Sequence, residues 1–385
     1  MNQQIWPQNL SRVYLDNNAT TAIDPEVLQV MRQALEQVFA NPSAIYEEAR
    51  SAKTHLHEAR QNIADCLHCS NNEIVFTSCA TESINALLRG VFGYAPRGHL
   101  ITSSLEHAAV WQTACDLQTQ GVDVTFLPGD ASGRVDPDQI RQALRPDTKV
   151  IAIMAVNNET GVINDIEEIG RIASDSGCVC IVDGVAMLGK MPVTIHKGIS
   201  AMVFSGHKFH APKGSSFSFI RKGLVLHPFI TGGNQEFGRR AGTENVAGCM
   251  ALARAVQLAT DEIDEKIAAM KALRDYFEAL IIQKWPFVAV NGSAPRVCNT
   301  SSLTFAGIDG EALVMYADLH GLSCAMGSAC ATGALEPSRI LLQMGLSRKD
   351  ALSTLRFSLS RYTTKEQIER AAEIICSGIQ MQRGL

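Results

Sequence analysis

The chain has 385 residues, 46% of them apolar and 19% charged, with a formal net charge of -5. This is the balance of a globular protein with enough length for one large core and a smaller one, and two domains are expected. With no basic block and no apolar run of membrane-spanning length, it offers nothing to nucleic acid or to a membrane.

In chain order, Val13 to Thr21 is a short apolar start followed by the polar turn Asp16-Asn17-Asn18-Ala19-Thr20-Thr21, a loop suited to lining a site. Pro25 opens an amphipathic helix to about Phe39, with Val27, Leu28, Met31, Leu35 and Val38 on one side. A second helix runs from Glu47 to Leu67. Cys66 and Cys69, with His55, His57 and His68 nearby, are metal-ligand residue types. No second cysteine pair stands at suitable spacing, so they read as the helix end before Ser70-Asn71-Asn72, and no metal is expected. The eleven cysteines are scattered and odd in number, and are expected to be reduced thiols. The amino terminus lacks both the charged and the apolar part of a signal peptide, and a cytoplasmic protein is expected.

Glu73 to Thr77 reads as a strand, and Ser78 to Ser83 as a small-residue turn into the helical run Ile84 to Leu88. Free N–H groups at Ala80 and Thr81, the helix dipole and the Thr81 hydroxyl suit a phosphate. Three further units alternate strand and helix: Leu100 to Thr102 with a helix after Ala108, Val122 to Phe126 with Asp136 to Leu144, and Val150 to Met154 with Ile166 to Ala173. The alternation predicts a largely parallel sheet with helices on both faces, an α/β fold. Glu106-His107 and Asn157-Asn158-Glu159 fall at strand ends, where ligands bind in such sheets, and His107 is placed to stack on a flat ring.

Two later strands end in chemistry. Cys178 to Val182 is an apolar run closed by Asp183-Gly184, and Ala201 to Phe204 is another, closed by Ser205-Gly206-His207-Lys208. Adjacent strands lie about 4.8 Å apart, so an aspartate and a lysine at neighbouring strand ends can flank one pyridine ring. The lysine is placed to form a Schiff base with an aldehyde, pyridoxal phosphate being the commonest, and the carboxylate to keep the ring nitrogen protonated. Gly232 to Asn245 is a glycine-rich, charged loop whose length suggests function. Helical sequence follows to about Gln283. An α+β pattern closes the chain: strand Thr300 to Phe305, helix Gly310 to Leu319, the small-residue loop Met326 to Ala334, strand Leu355 to Leu359 and helix Lys365 to Ile375.

Taken together, Ser205-Gly206-His207-Lys208, Arg239-Arg240-Ala241-Gly242-Thr243-Glu244-Asn245, Asn157-Asn158-Glu159 and Gly327-Ser328-Ala329-Cys330 with Leu335-Glu336-Pro337-Ser338 resemble the cysteine desulfurases of the class V pyridoxal-phosphate aminotransferase superfamily. The likeness runs from about Tyr14 to Arg370. It implies a homodimer of fold-type I pyridoxal-phosphate transferases, with a large cofactor domain at residues 16–258 and a small domain from 1–15 and 259–385. It implies that Lys208 carries pyridoxal phosphate, Asp183 pairs with its ring nitrogen and His107 stacks on the ring and moves protons. Ala80, Thr81, Ser205 and His207 would bind the phosphate, with Thr243 reaching in from the partner subunit. Asn158 and Arg356 would hold the carboxylate of L-cysteine, and Cys330 would take its sulfur as a persulfide for a sulfur-acceptor or scaffold protein. The chain departs from the family at Ala186, where a glutamine usually donates to the cofactor's phenolic oxygen, and at Cys79, Tyr46 and Ser215 to Ser218. A selenocysteine lyase, another class V lyase or transaminase, and a catalytically weakened scaffold are the alternatives.

Overall fold

The computed structural model describes residues 12–293, 295–327 and 336–384. It opens with a two-residue strand, β1 (Val13–Tyr14), and α1 (Pro25–Gln37), which starts where Asp24 accepts the Glu26 N–H and Pro25 takes the first helical position. α1 buries only Val27 and Ala34 fully and ends at Gln37, so Leu35 and Phe39 face outward, contrary to the apolar stripe read from sequence. The contact with the rest of the protein is narrow because α1 rests chiefly on one helix, α7 below. α2 (Glu47–Cys66) closes at the cysteine pair, with His68 turning the chain at φ +52°.

The alternating units follow as β2 (Ile74–Thr77), α3 (Ala80–Phe92), β3 (His99–Ser103), α4 (Ala108–Thr119), β4 (Asp123–Leu127), α5 (Pro137–Ala143), β5 (Thr148–Met154), α6 (Ile166–Asp175), β6 (Val179–Asp183), β7 (Ala201–Ser205) and β8 (Ser216–Ile220). They form one seven-stranded sheet in the order β2-β8-β7-β6-β5-β3-β4. Neighbours from β7 to β4 are parallel, while β8 is antiparallel to both β7 and β2. Two inversions cancel, so β2 points with the parallel strands and its C-terminal end reaches the same edge. Adjacent residues of one strand serve opposite faces: Val182 and Phe204 join one buried cluster, Ile181 and Val203 the other.

α7 (Val246–Thr260) packs on α1 and α2, and α8 (Ile263–Lys284) leads to a second core. There β9 (Val288–Val290), β10 (Thr300–Phe305) and β12 (Thr354–Ser358) form an antiparallel sheet in the order β12-β10-β9. α9 (Gly310–Leu319), α10 (Arg339–Gln343), α11 (Arg348–Leu352) and α12 (Lys365–Gln382) complete this part, and β11 (Leu322–Ser323) pairs in parallel with β1. Phe277, Leu303, Phe305, Phe357, Ile368 and Ile375 share its core with Val13 and Leu15. α12 runs two turns past the expected Ile375 because Ile379 is still buried.

The long loop before α7 is held by a buried ion pair. Glu236, at φ +47°, receives Arg60 Nη1 and Nη2 at 2.7 Å each and the Phe76 N–H at 2.8 Å. Arg60 lies between the Phe76 and Phe237 rings, 4.7 and 5.0 Å from their centroids, and donates to Ile74 O at 2.6 Å. Removing one partner leaves a desolvated charge, so Glu236→Ala should lower the free energy of unfolding by about 3 to 5 kcal/mol, measured by urea denaturation. The double change Arg60→Met with Glu236→Leu should cost markedly less than Glu236→Ala alone, because it buries no lone charge.

Candidate active site

At the C-terminal edge of the sheet lies a cavity of about 420 Å³. Lys208 reaches it through a single tight turn after β7, in which the Gly206 N–H bonds Ser215 O at 3.0 Å. A Cβ on Gly206 would stand 2.6 Å from that same carbonyl oxygen, so the turn requires glycine. Lys208 Nζ donates to Asn18 O at 2.6 Å and Ala19 O at 2.9 Å, and so lies against the polar turn near the amino terminus.

Asp183 ends β6 in register with Val203 of β7, one strand from the lysine turn. It is 6% exposed, and its Oδ1 accepts the Val185 N–H at 3.0 Å. Burial raises its pKa, against the pull of His107 and Lys208. His107 caps α4, and its Nδ1 accepts the Ala109 N–H at 3.1 Å. In the neutral ring the proton therefore sits on Nε2. Burial lowers the His107 pKa, with Lys208 and Arg339 adding to the effect and Asp183 opposing it.

Ala80, Thr81, Ser205 and His207 line the same cavity, at the ends of β2 and β7. The first turn of α3 presents N–H groups that the helix leaves unmatched, and its cap is unusual: Cys79 Sγ accepts the Glu82 N–H at 3.4 Å. His207 has its pKa pushed down to about 4 by burial and by Lys208, Lys213 and Lys190, and is a neutral ring at pH 7. Thr243 does not reach this cavity in its own chain. It lines a second one of about 260 Å³, with Ser78, Ser215 and Arg240.

Asn158 and Arg356 complete the wall. Arg356 Nη2 pairs with Asp16 at 2.8 Å and Nη1 donates to Asn158 O at 3.1 Å. Its Nε and the Asn158 Oδ1 are buried without a hydrogen-bond partner among the described residues. Cys330 lies outside the described residues. The chain on either side of it is described, and Gly327 and Ser338 meet beside Glu159, whose carboxylate accepts from Ser338 Oγ.

The sequence reading placed Glu106 and Glu159 at ligand-binding strand ends without giving them a role, and it missed the wall residues Lys190 and Arg339. Arg339 stacks over Trp111 at 4.2 Å and donates to the carbonyls of Ser104 and Glu106. Glu106 is wholly buried: Oε1 accepts from Ser103 Oγ at 2.6 Å, while Oε2 has no partner among the described residues. The sole signal for it was a carboxylate closing an apolar strand, and no signal marked Lys190. Ala186 presents only a methyl to the cavity.

An amine and a buried carboxylate at neighbouring strand ends, an imidazole beside them and a helix N-terminus with hydroxyls are the donor set for a phosphorylated pyridine aldehyde, and pyridoxal phosphate fits these residues. The aminotransferase class-V family model matches residues 13–371. A cysteine desulfurase of Trichormus azollae is 39% identical over 98% of this chain and 95% of its own. Among solved structures, a NifS-like protein superposes with a TM-score of 0.88 at 34% identity, covering 95% of this chain and 98% of its own. A second, titled SspA in complex with cysteine, reaches 0.82 at 32% identity over 91% of this chain and all of its own. The chain belongs to the class V aminotransferase family, whose cofactor is pyridoxal phosphate. Within that family it stands among the cysteine desulfurases, related to them over nearly its whole length.

The Glu106 carboxyl has its pKa pushed up to about 8 by burial, with Asp183 adding to the effect. Between about pH 4.5 and 8 the folded protein then holds a proton that the unfolded chain has lost, so this group's contribution to stability declines as pH rises through that window. Glu106→Gln keeps the shape and the acceptor for Ser103 but cannot titrate. The variant's unfolding midpoint in urea, relative to the parent, should therefore be higher at pH 8 than at pH 5; a constant difference would mean that Glu106 does not titrate there.

Proposed function

We propose that the chain takes sulfur from L-cysteine, with pyridoxal phosphate on Lys208, L-alanine as product and Cys330 as the sulfur carrier. The observation that carries this reading is one cavity that gathers Lys208 and Asp183 with Asn158 and Arg356. Bound pyridoxal phosphate supplies an electron sink for charge developing on the substrate carbons. Asp183, buried at its strand end, would pair with the ring nitrogen and keep it protonated. Ala80, Thr81, Ser205 and neutral His207 receive the phosphate through N–H and O–H donors. His107 would stack on the ring and offer the proton on Nε2, since Nδ1 is engaged by Ala109. Arg356, held by Asp16 and the Asn158 carbonyl, turns its remaining N–H groups to the substrate carboxylate.

Sulfur transfer balances without an external oxidant. The Cys330 sulfur bonds to the substrate sulfur, the substrate carbon–sulfur bond breaks, and the carbon takes a proton: thiol and cysteine become persulfide and alanine. The sulfur is oxidised and the carbon reduced. A small-residue sequence running into Ser338, which bonds the wall residue Glu159, and Arg339, itself at the cavity, suits a thiol that must come to the substrate and leave again. Thr243, away from the cavity of its own chain, supports a homodimer in which it serves the partner's phosphate. The ten described cysteines are all unpaired, which suits a reducing cytoplasm, and a protein that accepts the persulfide sulfur completes the reading.

Borohydride reduction of the yellow holoenzyme should leave a pyridoxyl label on Lys208, read by peptide mass spectrometry; a label on Lys213 or Lys222 would overturn the assignment. Cys330→Ala should keep the cofactor and respond spectrally to L-cysteine, yet form no persulfide and almost no alanine. Alanine at the parent rate would replace the persulfide route with a simple lyase. For the shared site, mixing Lys208→Ala with Thr243→Ala protein should restore part of the activity, because each hybrid assembles one site with both residues. No recovery despite subunit exchange, followed by native mass spectrometry, would count against it.

A further inference from the structure

Lys190 is a charged wall residue for which the reaction just described has no use. It follows Gly189 in the turn after β6, is 7% exposed, and lines both the main cavity and a small neighbouring one. Its Nζ donates to the backbone carbonyl of Lys208 at 3.1 Å, and its own carbonyl accepts from the buried thiol of Cys298 at 3.2 Å. An ammonium has three N–H donors and no acceptor, and a buried lysine is costly to keep charged. A lysine meant only to fill space beneath the turn would be better replaced by methionine, which has a similar shape and no charge. A second cation is instead held against the backbone of the lysine that carries the chemistry.

Resting on the reading of Lys208 as the cofactor lysine, we propose that Lys190 is a positioning residue that disfavours the proton on the Lys208 nitrogen and fixes the turn that aims it. Two like charges in a water-poor site repel, so the Lys190 ammonium eases loss of the proton from the nitrogen bonded to the cofactor. The groups facing this pair from the surrounding elements are Asp183 from β6, His107 from the start of α4, His207 and His210 from the lysine turn and just beyond it, Lys213 after it, and Cys298 before β10. Asp183 is the negative member of this set and favours the proton; Lys190 opposes it through an amine anchored one carbonyl away. Burial, with Lys208 adding to it, brings the Lys190 pKa down to about 8, against a weaker upward pull from Cys298. Its charge is therefore present at neutral pH and fades as alkali is added, which spreads the titration of the pair over a wider range than one group would give.

The test is a pH titration of the visible absorption band of the purified holoenzyme, which reports the proton on the Lys208 nitrogen. In Lys190→Met the midpoint should move up by about half a pH unit or more and the curve should narrow towards that of a single group. Lys190→Gln should behave alike, while Lys190→Arg, which keeps the charge, should stay near the parent. Superimposed curves for Met and parent, or an equal shift in all three variants, would overturn the proposal, the latter because packing alone would account for it. Where a variant retains too little cofactor for a spectrum, the pH dependence of the rate at which its apoprotein develops the band on adding pyridoxal phosphate carries the same expectation, and an unchanged profile overturns it. Failure of the cofactor reading is separately visible, since the borohydride label on the parent would then fall on a residue other than Lys208.

Discussion

A carboxylate taken out of water must be given positive charge, and Asp183 sits where the protein supplies it from several directions. Its strand is central and parallel on both sides, so no loop of its own opens it to solvent. What it faces comes instead from neighbouring strand ends: His107 after β3 and Lys208 after β7. Parallel pairing makes this possible because it brings every C-terminal end to one edge, where short turns carry polar side chains into a shared cavity. β8, antiparallel on both sides, lets β2 deliver the α3 N-terminus to that edge as well.

The second core is tied to the first through polar contacts at the cavity, beside a small apolar cluster of Leu105 with Ile340, Leu341 and Met344. Asn18 Nδ2 donates to Thr300 Oγ1 at 2.9 Å, and Asn299 Nδ2 donates to Asn18 Oδ1 at 3.0 Å. Arg356 of β12 meets Asp16, while Ser338 and Arg339 reach Glu159 and the carbonyls around His107. Buried contacts of this kind are directional, so they set the orientation of the two parts more sharply than apolar packing would. The turn Asp16 to Thr21 takes part on both sides, since its carbonyls also receive the Lys208 amine. The residues that hold the two parts together are in large measure those that wall the site.

The departures from the family pattern fall into this frame. Cys79 leaves the N-terminus of α3 intact, because its sulfur caps the Glu82 N–H in the way an oxygen would. Ser215 and Ser218 put buried hydroxyls near the start of β8 that find no hydrogen-bond partner among the described residues. Ala186 gives the cavity wall a methyl and no hydrogen-bond donor.

Much of this was legible in the chain itself. Apolar runs ending in Asp183 and in Ser205-Gly206-His207-Lys208, alternating with helical periods, were enough to expect a parallel sheet with its chemistry on one edge, because strand period and strand-end position are local properties. The family resemblance marked Asn158, Thr243 and Arg356 for attention. Glu106 and Glu159 were legible only as polar strand ends, and Lys190 and Arg339 were not legible as wall residues. These two come from a turn and a short helix far apart in sequence, and nothing local distinguishes a buried lysine from a solvated one. The outward turn of Leu35 was equally hidden, since an amphipathic period states that a helix has an apolar side but not how much of it a neighbour will cover. Spacing and residue type thus determined which strands end in chemistry, as these follow from short-range stereochemistry. Tertiary structure alone decided which of those ends meet, which charges lose their water, and therefore which ordinary residues come to act on the site.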